Sequence, residues 1–416
     1  MCDPTRSLTK TTMRRGPTRT RLRDLQPRCV SNNRLIKLVI SALVSQNALR
    51  NSTGLSGRFL PGLRPAMGVA GAICFFWAFA TNACTTFCLA DTGHVLVGKN
   101  YDWDIGDGYV VVNKRNVAKT AVADTNPVSW ISRFGSVTFN QFGREMPLGG
   151  MNEAGLVVET MWLEDTEYPG IDSRRAIGNL QWIQYHLDCH ASVEQVLESD
   201  SDIRIRPRAK APVHYLVCDE SGACAGVEFL EGSLVAHTGK DFPLRALTNS
   251  TYDQSMRFVR QLRGYGGVLA IPDDRSSLAR FARAADRTKE FAAGDRDDNV
   301  KYAFDILKDV SAGYYTKWSI VYDVGARAAH FRTCENRKIR TIVFAGLDFS
   351  CAKPVKAADI NARLSGDITG DLITYTPRRN RDLVESVFAR IDFLADLPRG
   401  KWRENWEYPQ TTECRE

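Results

Sequence analysis

Cys84–Trp103 reads CTTFCLADTGHVLVGKNYDW, and the reading of this stretch decides the fold. Thr85–Ala90 alternates weakly between polar and apolar residues. Asp91-Thr92-Gly93 has turn chemistry and His94–Gly98 is a short apolar run, so the spacing predicts a β-hairpin. A further strand is expected at Tyr109–Val112, behind Gly106-Asp107-Gly108. Leu148–Trp162 reads as a Gly149-Gly150 turn, then Asn152–Gly155, then a β-rich run Leu156–Trp162. Ile177–Leu197 has the apolar spacing of one amphipathic helix. Val213–Val217, Gly226–Leu230 and Ser233–Thr238 read as a strand meander. Helical patterns return at Ser277–Phe291 and Asn299–Ser311, and strands at Lys317–Asp323, Ala328–Thr333 and Lys338–Val343. A helix at Asn380–Leu394 precedes what reads as a polar tail. Blocks of strands alternating with helix pairs imply an α+β chain with largely antiparallel sheets, in one domain spanning residues 84–416.

Upstream of Cys84 the composition changes. The 416-residue chain carries a net charge of +7, yet residues 1–66 hold 13 Lys/Arg against Asp3 and Asp24 alone, so residues 84–416 are net acidic. The basic character therefore belongs to the leader, and nucleic acid is not an expected partner. Residues 1–66 are rich in Arg, Thr, Ser and Asn without an apolar period, the composition of a disordered extension or of a start site assigned too early. Residues 67–83 contain an unbroken apolar run of eleven residues, Val69–Phe79, too short to span a bilayer but suited to a signal peptide. Ala78-Phe79-Ala80 resembles a cleavage signal, and a weaker one, Thr81–Ala83, lies directly before Cys84. Export to a periplasmic or extracellular space is the expectation, with no stable membrane association after processing. A short buried helix is the competing reading of the apolar run.

Of eleven cysteines, eight fall at or after Cys84. Cys218 and Cys224 flank a short turn that a disulfide could bridge, although the pairing is not readable from spacing. Cys84 itself has a structural reading, as one half of a bridge to Cys88. No C-x2-C pair occurs, and His186 and His190 lack the adjacent glutamate of an H-E-x-x-H site, so no metal is expected.

Four separated segments resemble the choloylglycine hydrolase family of linear amide C–N hydrolases, which includes bile salt hydrolases and penicillin V acylases. They are Cys84-Thr85 with Gly98–Trp103, then Gly150–Leu156 (GMNEAGL), Leu247–Ser250 (LTNS) and Ser277–Phe281 (SLARF). Trp318–Asp323 and Asp348–Cys351 also fit, so the resemblance runs over roughly residues 84–390 in the family's order. It implies a four-layer αββα sandwich of the N-terminal-nucleophile type and a thiol nucleophile at Cys84. It implies no metal or organic cofactor, and an assembly of four copies.

The chemistry of the residues supports that reading. A free thiol is only slightly ionised at neutral pH, whereas an N-terminal cysteine carries an α-amine able to take its proton. The resemblance gives that role to the Cys84 amine, exposed once residues 1–83 are gone. Asp102 would hold the resulting ammonium group, and Arg280 would favour the thiolate by its fixed charge. Asn249 would donate to the oxyanion, a contribution of about 3–4 kcal/mol for such donors. Trp162 would add a backbone N–H there and line the substrate pocket with its indole. Lys99 stands where the family commonly has arginine, at a substrate or cysteine contact, and keeps the charge without the planar fork. Bile salt hydrolases usually carry asparagine, and penicillin V acylases tyrosine, where this chain has Trp162. The expected substrate is therefore an apolar acyl or steroid amide of a small polar amine, of the bile-salt, penicillin V or N-acyl homoserine lactone type. A disulfide-stapled binding protein on the same fold is the alternative. Lipidation of Cys84 is a weaker one, because Asn82-Ala83 makes a poor lipobox.

Overall fold

The structure is a computed structural model, and it describes residues 84–416 apart from 92, 208–210 and 293. The expected leader, signal segment and cleavage sites lie outside the described residues.

Thr85–Asp91 and His94–Asp102 form the hairpin, paired from Thr85↔Asn100 to Asp91↔His94. Gly93 closes it at φ +84°, a conformation side-chain-bearing residues rarely adopt. The hairpin sits in a seven-stranded sheet between Ala246–Leu247 on one side and Thr316–Asp323, Ala328–Thr333, Arg340–Val343 and Gly366–Asp367 on the other. A nine-stranded antiparallel sheet lies opposite. Its spatial order is Ser233–Thr238, Cys224–Leu230, Val213–Cys218, Val157–Trp162, Gly149–Asn152, Ser136–Asn140, Tyr109–Asn113, Lys356–Asp359 and Ile373–Thr374. Only the pairing of Arg340–Val343 with Gly366–Asp367 departs from antiparallel within these two sheets.

Period-two alternation assigns the faces. From His94–Asp102 and the following turn, Lys99 reaches the Thr160 carbonyl in the opposite sheet, while Asn100 reaches the Leu307 carbonyl in the helix Arg296–Asp309. Phe139 crosses the sheet interface to Tyr322 and Phe331, edge to face with ring centroids 5.9 and 5.4 Å apart. Helices Ser277–Lys289 and Arg296–Asp309 cover the hairpin sheet. Asn179–Cys189 covers the other, burying Ile183 and Leu187 with Val158, Tyr215 and Val217. The result is the expected α+β, αββα stack with antiparallel sheets.

Several sequence expectations shift. Gly149-Gly150 is not a turn but the start of a strand, because a side chain at Gly149 would strike the Glu159 carboxyl at 2.2 Å. The turn comes later, where Asn152 Oδ1 accepts from the N–H groups of Ala154 and Leu156. The single helix expected over Ile177–Leu197 is two, Asn179–Cys189 and Val193–Glu198, because Ser192 caps the second by accepting from the Gln195 N–H. Asn380–Leu394 likewise divides into Pro377–Phe388 and Asp392–Ala395. The tail is not merely polar: Arg399–Glu407 is a helix that buries Trp402 and Trp406, one turn apart. Helix Tyr252–Val259 was not foreseen, although Thr251 and Gln254 form a capping box at its start.

Cys218–Cys224 is bridged, and a second disulfide joins Cys351 to Cys414 across 63 residues. Through it the strand Glu413–Cys414 is tied beside its partner Val117–Thr120. Cys84 and Cys88 are free thiols, so the structural reading of Cys84 as half of a bridge is corrected. His186 and His190 hydrogen-bond each other, Nδ1 to Nδ1, at 2.8 Å.

Candidate active site

Cys84 begins the hairpin and is 4% exposed, at the inner end of a cleft. Arg280 projects from the helix Ser277–Lys289, which Ser276 caps by accepting from the Ala279 N–H. Its Nη1 donates to the Cys84 carbonyl at 2.6 Å and to Thr85 Oγ1 at 2.5 Å, and its Nη2 donates to Asn249 Oδ1 at 2.8 Å. Held in that orientation, the Asn249 amide donates to the Trp162 carbonyl at 2.8 Å. Five residues from four separated segments thus share one hydrogen-bonded cluster.

Asp102 ends the second hairpin strand and is fully buried. The Thr316 hydroxyl donates to its Oδ1, while Oδ2 is buried without a hydrogen-bond partner among the described residues. Burial pushes the carboxyl up to about 6, against the lowering influence of Arg280, Thr316 and the two lysines Lys99 and Lys317. A buried acceptor of this kind is ready for a cation. The Cys84 thiol is also pushed up, first by burial and further by the Asp102 carboxylate. Lys99, the Asp102 backbone N–H and Arg280 pull it back without cancelling the rise. Arg280 lowers the thiol, but its contacts are the Cys84 carbonyl and Thr85 Oγ1 rather than the thiol, and Lys99 exerts the larger pull.

Lys99 is not at the pocket surface. It is 1% exposed between the sheets, where its ammonium meets the Thr160 carbonyl and lies 3.6 Å from Glu159 Oε2. The Tyr322 hydroxyl donates to the other Glu159 oxygen at 2.5 Å. Burial raises Glu159 to about 7 in spite of Lys99 and Tyr322. Placing Lys99 in the substrate pocket is thus corrected. The inner face of its strand points at the facing sheet, and Glu159, opposite glycine 149, supplies the countercharge.

The segment before Asn249 is secured from behind. His214 Nε2 lies 2.8 Å from the Thr248 carbonyl, and Nδ1 lies 3.2 Å from Glu228 Oε1. Glu228 also faces His237 Nε2 at 3.2 Å and accepts from the Tyr252 N–H at 2.9 Å. Burial alone would raise Glu228, but these hydrogen bonds outweigh it and hold the carboxyl down at about 2. A depressed folded value stabilises the fold above the unfolded pKa, and that stability is lost as pH falls from about 4.5 toward 2. Glu228→Gln is expected to cost about 3 kcal/mol at pH 7 and much less near pH 2.5, as read from denaturant melts at both values. An equal cost at both would sink this account.

Cys84 opens on a cavity of about 140 Å³ lined chiefly by apolar groups. Trp162 is among its lining residues. Tyr101 and Trp103, flanking Asp102, also line it, together with Phe388, Phe393, Leu394 and Leu397 from the C-terminal segment. Sequence reasoning missed these. Strand alternation around Asp102 could have indicated Tyr101 and Trp103, whereas nothing local marked the C-terminal residues.

Known proteins bear on this geometry. Residues 84–357 match the linear amide C–N hydrolases of the choloylglycine hydrolase family. A penicillin V acylase from Pectobacterium atrosepticum is 26% identical over 259 residues, covering 58% of this chain and 68% of that protein. The solved structure of a penicillin V acylase from Agrobacterium tumefaciens superposes with a TM-score of 0.64 at 26% identity, covering 71% of this chain and 98% of the other. A variant of conjugated bile acid hydrolase from Clostridium perfringens has a TM-score of 0.57 at 18% identity, covering 68% and 98%, a likeness of fold alone. With the family's match beginning at the residue that opens the cleft, the chain belongs to the choloylglycine hydrolase family and is a linear amide C–N hydrolase.

Proposed function

We propose that Cys84 is the nucleophile of this hydrolase and that it works as an N-terminal residue, after residues 1–83 have been removed on export. In the uncut chain its nitrogen is the amide of the Ala83–Cys84 bond and is no base. Cleavage turns it into an α-amine of pKa about 8, able to take the thiol proton. The single observation that carries the reading is Asp102 Oδ2, buried and unpartnered beside Cys84. It is suited to receive the ammonium that proton transfer creates.

The thiolate adds to the amide carbonyl and the C–N bond breaks. The amine leaves with the proton from the Cys84 ammonium, and water then hydrolyses the thioester. Asn249 Nδ2 has a second N–H beyond the one given to Trp162, and together with the Trp162 backbone N–H it supplies the oxyanion donors. The substrate joins an apolar acyl group to a small polar amine, of the kinds for which penicillin V and conjugated bile acid stand. The test pairs intact mass of the secreted protein with hydrolysis of a panel of acyl amides. A chain that begins at Cys84 and releases amine is expected. An active chain that retains residues before Cys84 would overturn the mechanism.

A further inference from the structure

The family match ends at residue 357, yet the wall of the pocket opposite Cys84 is built from residues beyond it. Helix Pro377–Phe388, the short turn of helix Asp392–Ala395 and helix Arg399–Glu407 form a cap over the cleft. Phe388, Phe393, Leu394 and Leu397 face the same cavity as Cys84. A row of rings links the two ends. Tyr101, Trp103, Trp162 and Phe393 follow one another with centroids 6.3, 5.9 and 6.1 Å apart.

The cap is anchored by contacts among its own helices and to the pocket floor. Trp402 packs on Phe388 with centroids 5.6 Å apart, and its indole N–H donates to the Leu394 carbonyl at 3.1 Å. Asn380 Nδ2 donates to the Trp406 carbonyl at 2.7 Å, and Asn405 Nδ2 donates to the Phe142 carbonyl at 2.5 Å. Phe142 is itself a lining residue, so the cap and the pocket floor are tied at the rim. Such an element holds a fixed shape, which is what selectivity among acyl groups requires.

We propose that the cap, residues 377–407, is the specificity-determining wall of this enzyme and holds the far end of the acyl group. The preferred acyl group is an uncharged alkyl or aryl chain without a hydroxyl at its distal end. Each additional buried methylene adds contact with the wall, whereas a distal hydroxyl beside Phe393, Leu394 and Leu397 would lose its water against apolar side chains. This inference rests on the proposed reading in which the acyl group lies in the Cys84 cleft.

The experiment compares octanoyl and acetyl amides of one amine. In Phe393→Ala the ratio of kcat/KM for octanoyl over acetyl is expected to fall about tenfold or more. Leu397→Trp, which fills the cavity rather than emptying it, should lower the same ratio. Arg403→Ala, on the exposed face of the last helix, should leave it unchanged. An unchanged ratio in both pocket variants, or a fall shared equally by both substrates, would overturn the proposal. A second arm measures calorimetric binding of the octanoyl amide to the Cys84→Ala chain. There Phe393→Ala should weaken binding about tenfold, and unaltered binding would overturn the wall. If the wild-type chain hydrolyses no amide yet this arm shows the loss, the catalytic reading fails while the wall stands.

Discussion

Cys84→Ala is expected to lower kcat/KM for amide hydrolysis by more than about a thousandfold, since under the proposed mechanism no other group lining the cleft replaces the thiol. The other cysteines do not compete. Cys88 is buried with its thiol pushed up to about 12, and Cys189 and Cys334 are absent from the cavity lining. Cys84→Ser keeps a hydroxyl of far weaker nucleophilicity and should retain a trace of activity. Asp102→Asn should preserve the fold while losing about a hundredfold, because an amide cannot balance the α-ammonium. Amine-release kinetics on purified processed chains distinguish these cases. Activity of Cys84→Ala within tenfold of the wild type would end the mechanism.

Lys99→Met is expected to destabilise the fold by about 3 kcal/mol at pH 8, the usual cost of leaving one member of a buried pair behind. The orphan is Glu159, already raised to about 7 by burial. Because this folded value exceeds the ordinary 4.5, the folded chain holds a proton that the unfolded chain has shed. Glu159 therefore makes stability fall as pH rises from about 4.5 to 7. Without Lys99 the carboxyl stays protonated to higher pH, so the cost of the variant should shrink at pH 6 and grow at pH 8. Lys99→Met with Glu159→Gln should recover most of the loss. Lys99 also pulls hardest on the Cys84 thiol, so the alkaline shift of the pH–rate profile in Lys99→Met is a second readout. Melts that do not change with pH would show that the pair contributes nothing.

The hairpin, its turn and most of the central strands were legible because their apolar period is two and their turns carry glycine. Cys84, Asp102, Asn249 and Arg280 were legible as separate motifs, and the fold brings them into one cluster. Lys99 was misplaced because charge alone does not say which side of a sheet a residue faces. Its partner Glu159 lies 60 residues away and depends on glycine 149 having no side chain. The cap was illegible for a different reason. RGKWRENWE is mostly charged, and two tryptophans one turn apart announce a helix only once a surface exists for them to cover.

The bridge between Cys351 and Cys414 gives that cap a history as well as a position. Closing a loop of this length restrains the unfolded chain by about 4 kcal/mol in the entropic account. The two cysteines are 63 residues apart in sequence, so the restraint spans the whole cap and arrives only where thiols can be oxidised. A chain that begins at Cys84 but is kept reduced would carry the same Cys84 hairpin under a loosely held roof. Its turnover of short acyl amides would pass for native, and its choice among long ones would reveal that the bridge had never closed.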